Sequence, residues 1–320
     1  MFDYSQYEKA PLIETKDYRA PKNGNVFFYN TVDKKKIRVG VWQPTGFKEN
    51  SSSRGTIFLQ QGHNEFIEKY FEVIQEFLNR KFIVICFDWR GQGMSDRMID
   101  NENKAYIKSF NMHDNDLNEI LSNIIEPYLS KPLIGIGHSM GGCLMLSGFY
   151  NHINKFDFGI LSAPMLGFKN EKFLRSVSSF MNIFSKDTDY LIGSRPNMGV
   201  ETSFEENDLT TDIFRYKRTQ SLVRNHPTLR LWGVTNAFAR AINERFKIIR
   251  QKGWVEKINM KILVFNNLKD RVVDANKIET TAARLPNKEI ITFSNTEHEI
   301  FMEKDIYRKK MWEKIDAFLK

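Results

Sequence analysis

The chain has 320 residues, 41% of them hydrophobic and 27% charged, and a net charge of +8. This composition excludes a disordered, collagen-like or fibrous chain and leaves ample core material for one large domain or two small ones. The positive balance suits anionic surfaces or substrates, but no run of five or more basic residues occurs, so no nucleic-acid partner is expected.

Residues 1–24 are mixed and polar, with Pro11 and Pro21, and read as an irregular lead-in. They lack the basic start and apolar stretch of a signal peptide. Residues 26–29 and 37–42 read as strands, the second alternating as at a half-exposed sheet edge. Lys34, Lys35 and Lys36 between them read as a solvated strand end. After a loop, residues 56–59 form a buried strand that ends in Gln60-Gln61-Gly62-His63-Asn64-Glu65. The spacing of Ile67, Tyr70, Phe71, Ile74, Phe77 and Leu78 predicts a helix over 66–80. Residues 82–87 are nearly all apolar, which suits a parallel strand covered on both faces. They lead into a Gly-rich loop over 88–97. A helix over 114–129 and a strand over 133–136 follow.

Strand–helix–strand alternation of this kind signals an α/β fold with a parallel sheet, whose ligands bind beyond the C-terminal strand ends. The loops after residues 59, 87 and 136 therefore share one rim. Another strand is expected over 158–164. The pattern then breaks until 261–266, far beyond an ordinary crossover. Helices are expected over 173–184 and 237–249. Residues 165–232 read as a helical cap inserted over the rim, with 1–164 and 233–320 as the core. A helix over 275–285, a strand over 289–293, a turn at 295–299 and a closing helix complete the chain. The closing helix carries Ile306, Met311, Trp312, Ile315, Phe318 and Leu319 on its apolar face. Cys86 and Cys143 lie in apolar runs and read as buried thiols in a reducing compartment. With no apolar stretch of membrane-spanning length, a cytoplasmic location is expected, with peripheral contact at the inner membrane face left open.

The chemistry centres on Gly135-Ile136-Gly137-His138-Ser139-Met140-Gly141-Gly142. Gly137, Ser139 and Gly141 satisfy G-x-S-x-G, in which a serine is exposed on a sharp strand-to-helix turn and bulkier neighbours would collide with backbone. An ordinary glycine-rich turn gives the same pattern, so the partners decide. A serine hydroxyl needs a base, and the base needs an orienting group. His152, His226 and His298 follow Ser139. His298 lies just past the last strand, where a loop can return it to the rim, whereas His152, His226 and the earlier His113 suit structural positions. Asp270, a short turn beyond the strand over 261–266, is the first choice for the acid. Asp274 is the alternative, although it also suits a helix cap. Glu297 and Glu299 are too near His298 in sequence to orient it. For an oxyanion hole, the backbone N–H groups of Met140 and His63 are the candidates, Gly62 permitting close approach. No metal or organic cofactor is called for.

The chain resembles an α/β-hydrolase of the bacterial lysophospholipase and monoacylglycerol-lipase branch, the group also called serine aminopeptidase-like. The motifs are Gln61-Gly62-His63-Asn64-Glu65-Phe66-Ile67-Glu68-Lys69-Tyr70, Asp88-Trp89-Arg90-Gly91-Gln92-Gly93-Met94-Ser95, Gly137-His138-Ser139-Met140-Gly141-Gly142, Lys269-Asp270-Arg271-Val272-Val273 and Glu297-His298-Glu299. The resemblance implies that Ser139 is the nucleophile, Asp270 the acid and His298 the base, with His63 and Met140 supplying the oxyanion N–H groups. It implies a structural role for Asp88 and Arg90. The expected reaction is carboxylic ester hydrolysis through an acyl-enzyme, on a lysophospholipid or monoacylglycerol. Alternatives are a small-ester esterase, a serine aminopeptidase, or a catalytically silent receptor or scaffold. Phe168, Phe173, Phe180, Met181, Phe184, Tyr190 and Leu191 could line an acyl tunnel or simply pack the cap. Residues 164–250 hold 14 Lys plus Arg against 9 Asp plus Glu, so the cap side carries most of the positive charge.

Overall fold

A computed structural model of the chain describes residues 3–47, 53–169, 186–194 and 203–320. The helix expected over 173–184 lies outside these residues. The main sheet is built from β1 (Glu8–Lys9), β2 (Gly24–Asn30), β3 (Lys36–Trp42), β4 (Thr56–Gln60), β5 (Ile83–Phe87), β7 (Leu133–His138), β8 (Phe158–Ser162), β10 (Lys261–Asn267) and β11 (Lys288–Phe293). Two short strands, β6 (Lys104–Ala105) and β9 (Gly233–Val234), pair separately. The nine strands run in the order β1-β2-β3-β5-β4-β7-β8-β10-β11. From β5 to β11 all neighbours are parallel, while β1, β2 and β3 are added in antiparallel fashion.

The alternation of side chains along each strand divides the core into two layers. Phe58 of β4 faces a layer that includes Leu117 of α2 (Asn111–Ile120), Leu144 and Phe149 of α3 (Met140–Asn151), and Phe246 of α5 (Asn236–Ile249). Ile57 and Leu59 face the other layer, with Ile74 and Phe77 of α1 (Phe71–Asn79) and Met311, Trp312 and Ile315 of α7 (Asp305–Phe318). The remaining helices are α4 (Ile213–Asn225) and α6 (Ala275–Ala282). Cys86 and Cys143 are free and buried in this core.

Several local expectations change. The strand over 37–42 is not a half-exposed edge: it lies between β2 and β5 and is buried from Ile37 onward. Its polar residue, Arg38, points inward, and its guanidinium meets Glu68 and Asp88 at 2.7 Å each, all three side chains being fully buried. The alternation therefore reports a buried charge cluster rather than solvent. The helix expected over 66–80 starts as a 3₁₀ turn at Ile67–Tyr70, with the Ile67 N–H donating to Asp88 at 2.9 Å. The helix expected over 114–129 begins earlier, at Asn111, and leaves α geometry after Ile120, passing through a π turn at Leu121–Ile125 into a 3₁₀ turn at Glu126–Tyr128. Pro127 lacks the N–H that would continue the α ladder. Ile306 is 74% exposed and does not belong to the buried face of α7.

The Asp88 carboxylate also accepts from Gln61 Nε2 at 3.0 Å and from the Met94 N–H at 2.8 Å, so one buried anion ties together the segments after β4 and β5. Arg90 is likewise structural, reaching Asp33 and Asp116. Removing one partner of such a cluster leaves the others buried and unpaired. Arg38→Ala should therefore lower unfolding free energy by about 3–5 kcal/mol in urea denaturation. A loss below about 1 kcal/mol, the size of an exposed ion pair, would contradict this assignment.

Candidate active site

The turn after β7 is tight. Ser139 has φ 51° and ψ −117°, a left-handed backbone in a residue other than glycine. Such strain costs about 1–3 kcal/mol and persists only where surrounding structure enforces it. Here the Ser139 N–H donates to Ser162 O at 3.0 Å, and Ser139 O accepts from the Cys143 N–H at 3.1 Å and the Met165 N–H at 2.8 Å. The glycines two residues either side are required by space. A Cβ on Gly137 would lie 2.6 Å from Gly141 O, and one on Gly141 would lie 2.5 Å from Gln61 O.

β4 lies beside β7 with Gln60 opposite Gly137, so the segment after β4 emerges level with Ser139. A Cβ on Gly62 would come within 3.0 Å of Ser139 Cβ. His63, next along, lies in this turn, and its N–H makes no backbone hydrogen bond among the described residues. Met140 is the first residue of α3, where the N–H has no intrahelical acceptor. The His63 ring packs on Phe238 with centroids 4.7 Å apart, and burial pulls its pKa down to about 4. A neutral ring held in this way leaves the backbone as the polar group of interest. The turn is fixed by Gln92, whose Nε2 donates to Gly62 O at 2.8 Å and whose Oε1 accepts from the Asn64 N–H at 3.1 Å. Asn64 also exchanges hydrogen bonds with the Leu231 backbone at 2.6 and 3.1 Å, linking the turn to the segment before β9.

His298 follows β11, and its Nδ1 lies 2.6 Å from Asp270 Oδ2. The other oxygen of Asp270 accepts from the Val272 and Val273 N–H groups at 2.7 and 2.9 Å. The carboxylate is thus fully buried and fixed in orientation. Burial alone would lower the His298 pKa, but the Asp270 charge and hydrogen bond, with Glu299 and Glu65, outweigh it and raise the pKa above the usual histidine value. His138 stacks obliquely on the His298 ring, centroids 4.7 Å apart. It is held neutral by burial, with its pKa down at about 3. Ser139, His298 and His63 line one cavity of about 620 Å³. Ser139 Oγ forms no hydrogen bond among the described residues.

The alternatives separate in space. Asp274 accepts from the Asn276 N–H at 3.0 Å and caps α6. His152 meets Asn118, His113 is buried against Trp89 and Phe110, and His226 ends α4; none lines the cavity. Of the expected tunnel residues, Phe168, Tyr190 and Leu191 line the cavity, while Phe173, Phe180, Met181 and Phe184 lie outside the described residues. Val223 of α4 and Phe238 and Ile242 of α5 add apolar wall that periodicity did not reveal, because it depends on how those helices cross the rim. The basic excess over 164–250 is partly neutralised: Arg215 and Arg218 pair with Glu72, and Arg245 with Asp114. Sequence reasoning also passed over Glu65, Lys69 and Glu299, which form a buried ionic cluster against the site. The i,i+4 spacing of Glu65 and Lys69 was a local signal, but the link to Glu299 was not.

The sheet order, the strained serine turn and the histidine–aspartate pair at the C-terminal rim define an α/β-hydrolase. A sequence model of the family described as Serine aminopeptidase, S33, matches residues 51–305, and the chain belongs to this family of hydrolases. A protein of Haemophilus influenzae named probable lysophospholipase L2 is 27% identical over 274 residues, covering 84% of this chain and 85% of its own. Among solved structures, a soluble variant of monoglyceride lipase from Saccharomyces cerevisiae in complex with a substrate analog superposes with TM-score 0.70 at 18% identity, covering 95% of this chain and 99% of that one. A highly thermostable carboxyl esterase from Bacillus coagulans in complex with glycerol gives TM-score 0.74 at 17% identity, covering 93% and 98%.

Gly141→Ala should force the elbow away from β4, costing about 1–3 kcal/mol as overpacking does. Urea denaturation reads this, and a variant as stable as the parent would show that the close approach is not required.

Proposed function

We propose that the protein hydrolyses carboxylic esters of single-chain lipids, with Ser139 as nucleophile, His298 as base and Asp270 as the group that orients it. The observation that carries this reading is the 2.6 Å His298–Asp270 pair facing the same cavity as the strained Ser139. In the proposed reaction His298 Nε2 takes the Ser139 hydroxyl proton as Oγ attacks the ester carbonyl. The oxyanion is held by the N–H groups of His63 and Met140. Collapse expels the alcohol, which receives the proton from His298, and water then releases the acid by the same steps. Asp270 keeps the Nδ1 proton in place and stabilises the imidazolium without taking the proton itself.

Residues 165–232 serve as a cap in this reading. The cavity wall, with Phe66, Phe168, Leu191, Val223, Phe238 and Ile242, matches an acyl chain better than a peptide. The names borne by the Haemophilus and Saccharomyces relatives point to a lysophospholipid or a monoacylglycerol. Ile192, 55% exposed at the cavity, and Phe214, 82% exposed on α4, with the basic excess of this side, suit a peripheral contact with an anionic bilayer. No described helix is long and apolar enough to cross a membrane. Co-sedimentation with vesicles should rise with anionic lipid content; indifference to it would remove the membrane contact.

Ser139→Ala should abolish turnover of p-nitrophenyl esters and labelling by a fluorophosphonate while keeping the parent melting curve. Retained turnover would overturn the assignment. A chain-length series of acyl esters against aminoacyl amides tests the substrate class, and preference for the amides would favour a peptidase. The base must be neutral to accept a proton, and the His298 pKa is raised. The acid limb of kcat/KM should therefore have its midpoint above the ordinary histidine value of about 6.5, with activity lost as pH falls through it. Asp270→Asn should lower kcat by roughly 10⁴-fold and move that midpoint down.

A further inference from the structure

Beside Ser139 and His298 lies a buried charged group that the proposed reaction leaves unused. Glu65, Lys69 and Glu299 are each about 5% exposed or less. The Lys69 ammonium lies 2.6 Å from Glu65 Oε1 and 2.5 Å from Glu299 Oε1. The second oxygen of Glu65 accepts from the Gly62 N–H and, at 2.8 Å, from the Tyr70 hydroxyl. Gly62 immediately precedes His63, and Glu299 immediately follows His298. One ammonium thus joins the turn that carries the His63 N–H to the segment that carries His298, across a separation of 230 residues.

Burying three charges is costly, and a mechanical tie alone could be made by apolar packing. Two carboxylates against one ammonium differ from such packing in one respect: when all three are ionised they leave one surplus negative charge. Glu65 is the firm anion of the set. Burial would raise its pKa, but Lys69 overrides this and holds it at about 2. Glu299 is the weaker acid, raised by burial and by Glu65. Among the described residues the charged and titratable groups that act on His298 are Asp270, Glu299 and Glu65, with Lys69 paired to both glutamates and His138 against the ring. His138 and the two glutamates could suggest a metal cluster, their ligand atoms lying within 4.8 Å of one another. The Lys69 ammonium already supplies a cation between the carboxylates.

We infer that Glu65, Lys69 and Glu299 form a positioning network that holds the Gly62–His63 turn against the His298 segment and whose surplus negative charge favours the imidazolium form of His298 during turnover. This rests on the reading of His298 as the base. None of the three touches the reacting atoms. Glu65 acts on the oxyanion side through the Gly62 N–H, and Glu299 acts on the histidine side through its own backbone and charge.

The test is the pH profile of kcat/KM on a p-nitrophenyl ester for the full chain. Glu65→Gln keeps an acceptor for the Gly62 N–H and loses the charge. Its acid limb should move down by about one pH unit, the order expected for one nearby charge in a partly buried site, and kcat should fall about tenfold, as for a displaced oxyanion donor or less. A purely structural role would change kcat or stability and leave the limb where it was. If Glu65→Gln does not give the parent's melting and circular dichroism signature, Glu299→Gln replaces it, with the same expected direction. Unmoved limbs in folded Glu65→Gln or Glu299→Gln overturn the inference. Asp270→Asn is run in parallel to separate causes. If its limb moves while the glutamate variants do not, the network role fails and the base assignment stands. If its limb is also unmoved, His298 is not the base and both fail.

Discussion

The backbone of Ser139 is the constraint around which the rim is arranged. A left-handed serine between β7 and α3 is unfavourable by itself and is kept because three backbone hydrogen bonds and two close glycine approaches leave no other path. The same turn starts α3 at Met140, whose N–H has no acceptor within the helix. It also packs closely on the turn after β4, where a Cβ on Gly62 would lie 3.0 Å from Ser139 Cβ. Thus the position of Ser139 at the cavity, the helix opening and the neighbouring turn share a single steric cause.

What holds the loops around that turn is charge buried between segments. The Arg38, Glu68 and Asp88 cluster fastens the lead-in, through Pro11 and Ile13, to the segments after β4 and β5. Lys69 with Glu65 and Glu299 fastens the turn after β4 to the segment after β11. Such clusters contribute little net stability compared with apolar packing, but they penalise any arrangement that leaves one member unpaired. They are therefore better suited to fixing loop positions than to raising the unfolding free energy. Glu72 does related work farther out, gathering Arg215, Arg218 and Arg308 and so anchoring α4 to α1 and α7.

The cavity is a product of packing rather than of motif. Its walls come from the turn after β4, from α4 and α5, and from the segments around 190 and 272. The Asn64 side chain exchanges hydrogen bonds with the Leu231 backbone, so one asparagine links the turn after β4 to the segment before β9.

Much of this was legible in the amino-acid order, because it is set by local rules. Apolar runs marked β4, β5, β7 and β10, helical spacing marked α1, α5 and α7, and G-x-S-x-G marked the elbow, since backbone sterics dictate those residues wherever the turn occurs. The order of Ser139, Asp270 and His298 followed from the elbow and from strand ends. Other features depended on three-dimensional neighbours. β3 looked like an edge because Arg38 breaks its apolar run, yet that arginine is neutralised by Glu68 and Asp88 from other segments. Glu299 was set aside as too near His298 to orient it, and among the described residues it makes no hydrogen bond to the ring; its partner is Lys69, far away in the chain. Asp270 was preferred to Asp274 because Asp274 suits a helix cap, and the fold places Asp270 on His298 and Asp274 on the helix terminus. The sequence by itself thus determined the fold class, the elbow and the candidate set, because steric and periodic demands act between near neighbours. Only the tertiary structure decided which acid meets which histidine, which charges are buried together and what shape of cavity lies above Ser139, because those depend on residues that meet only after the chain has folded.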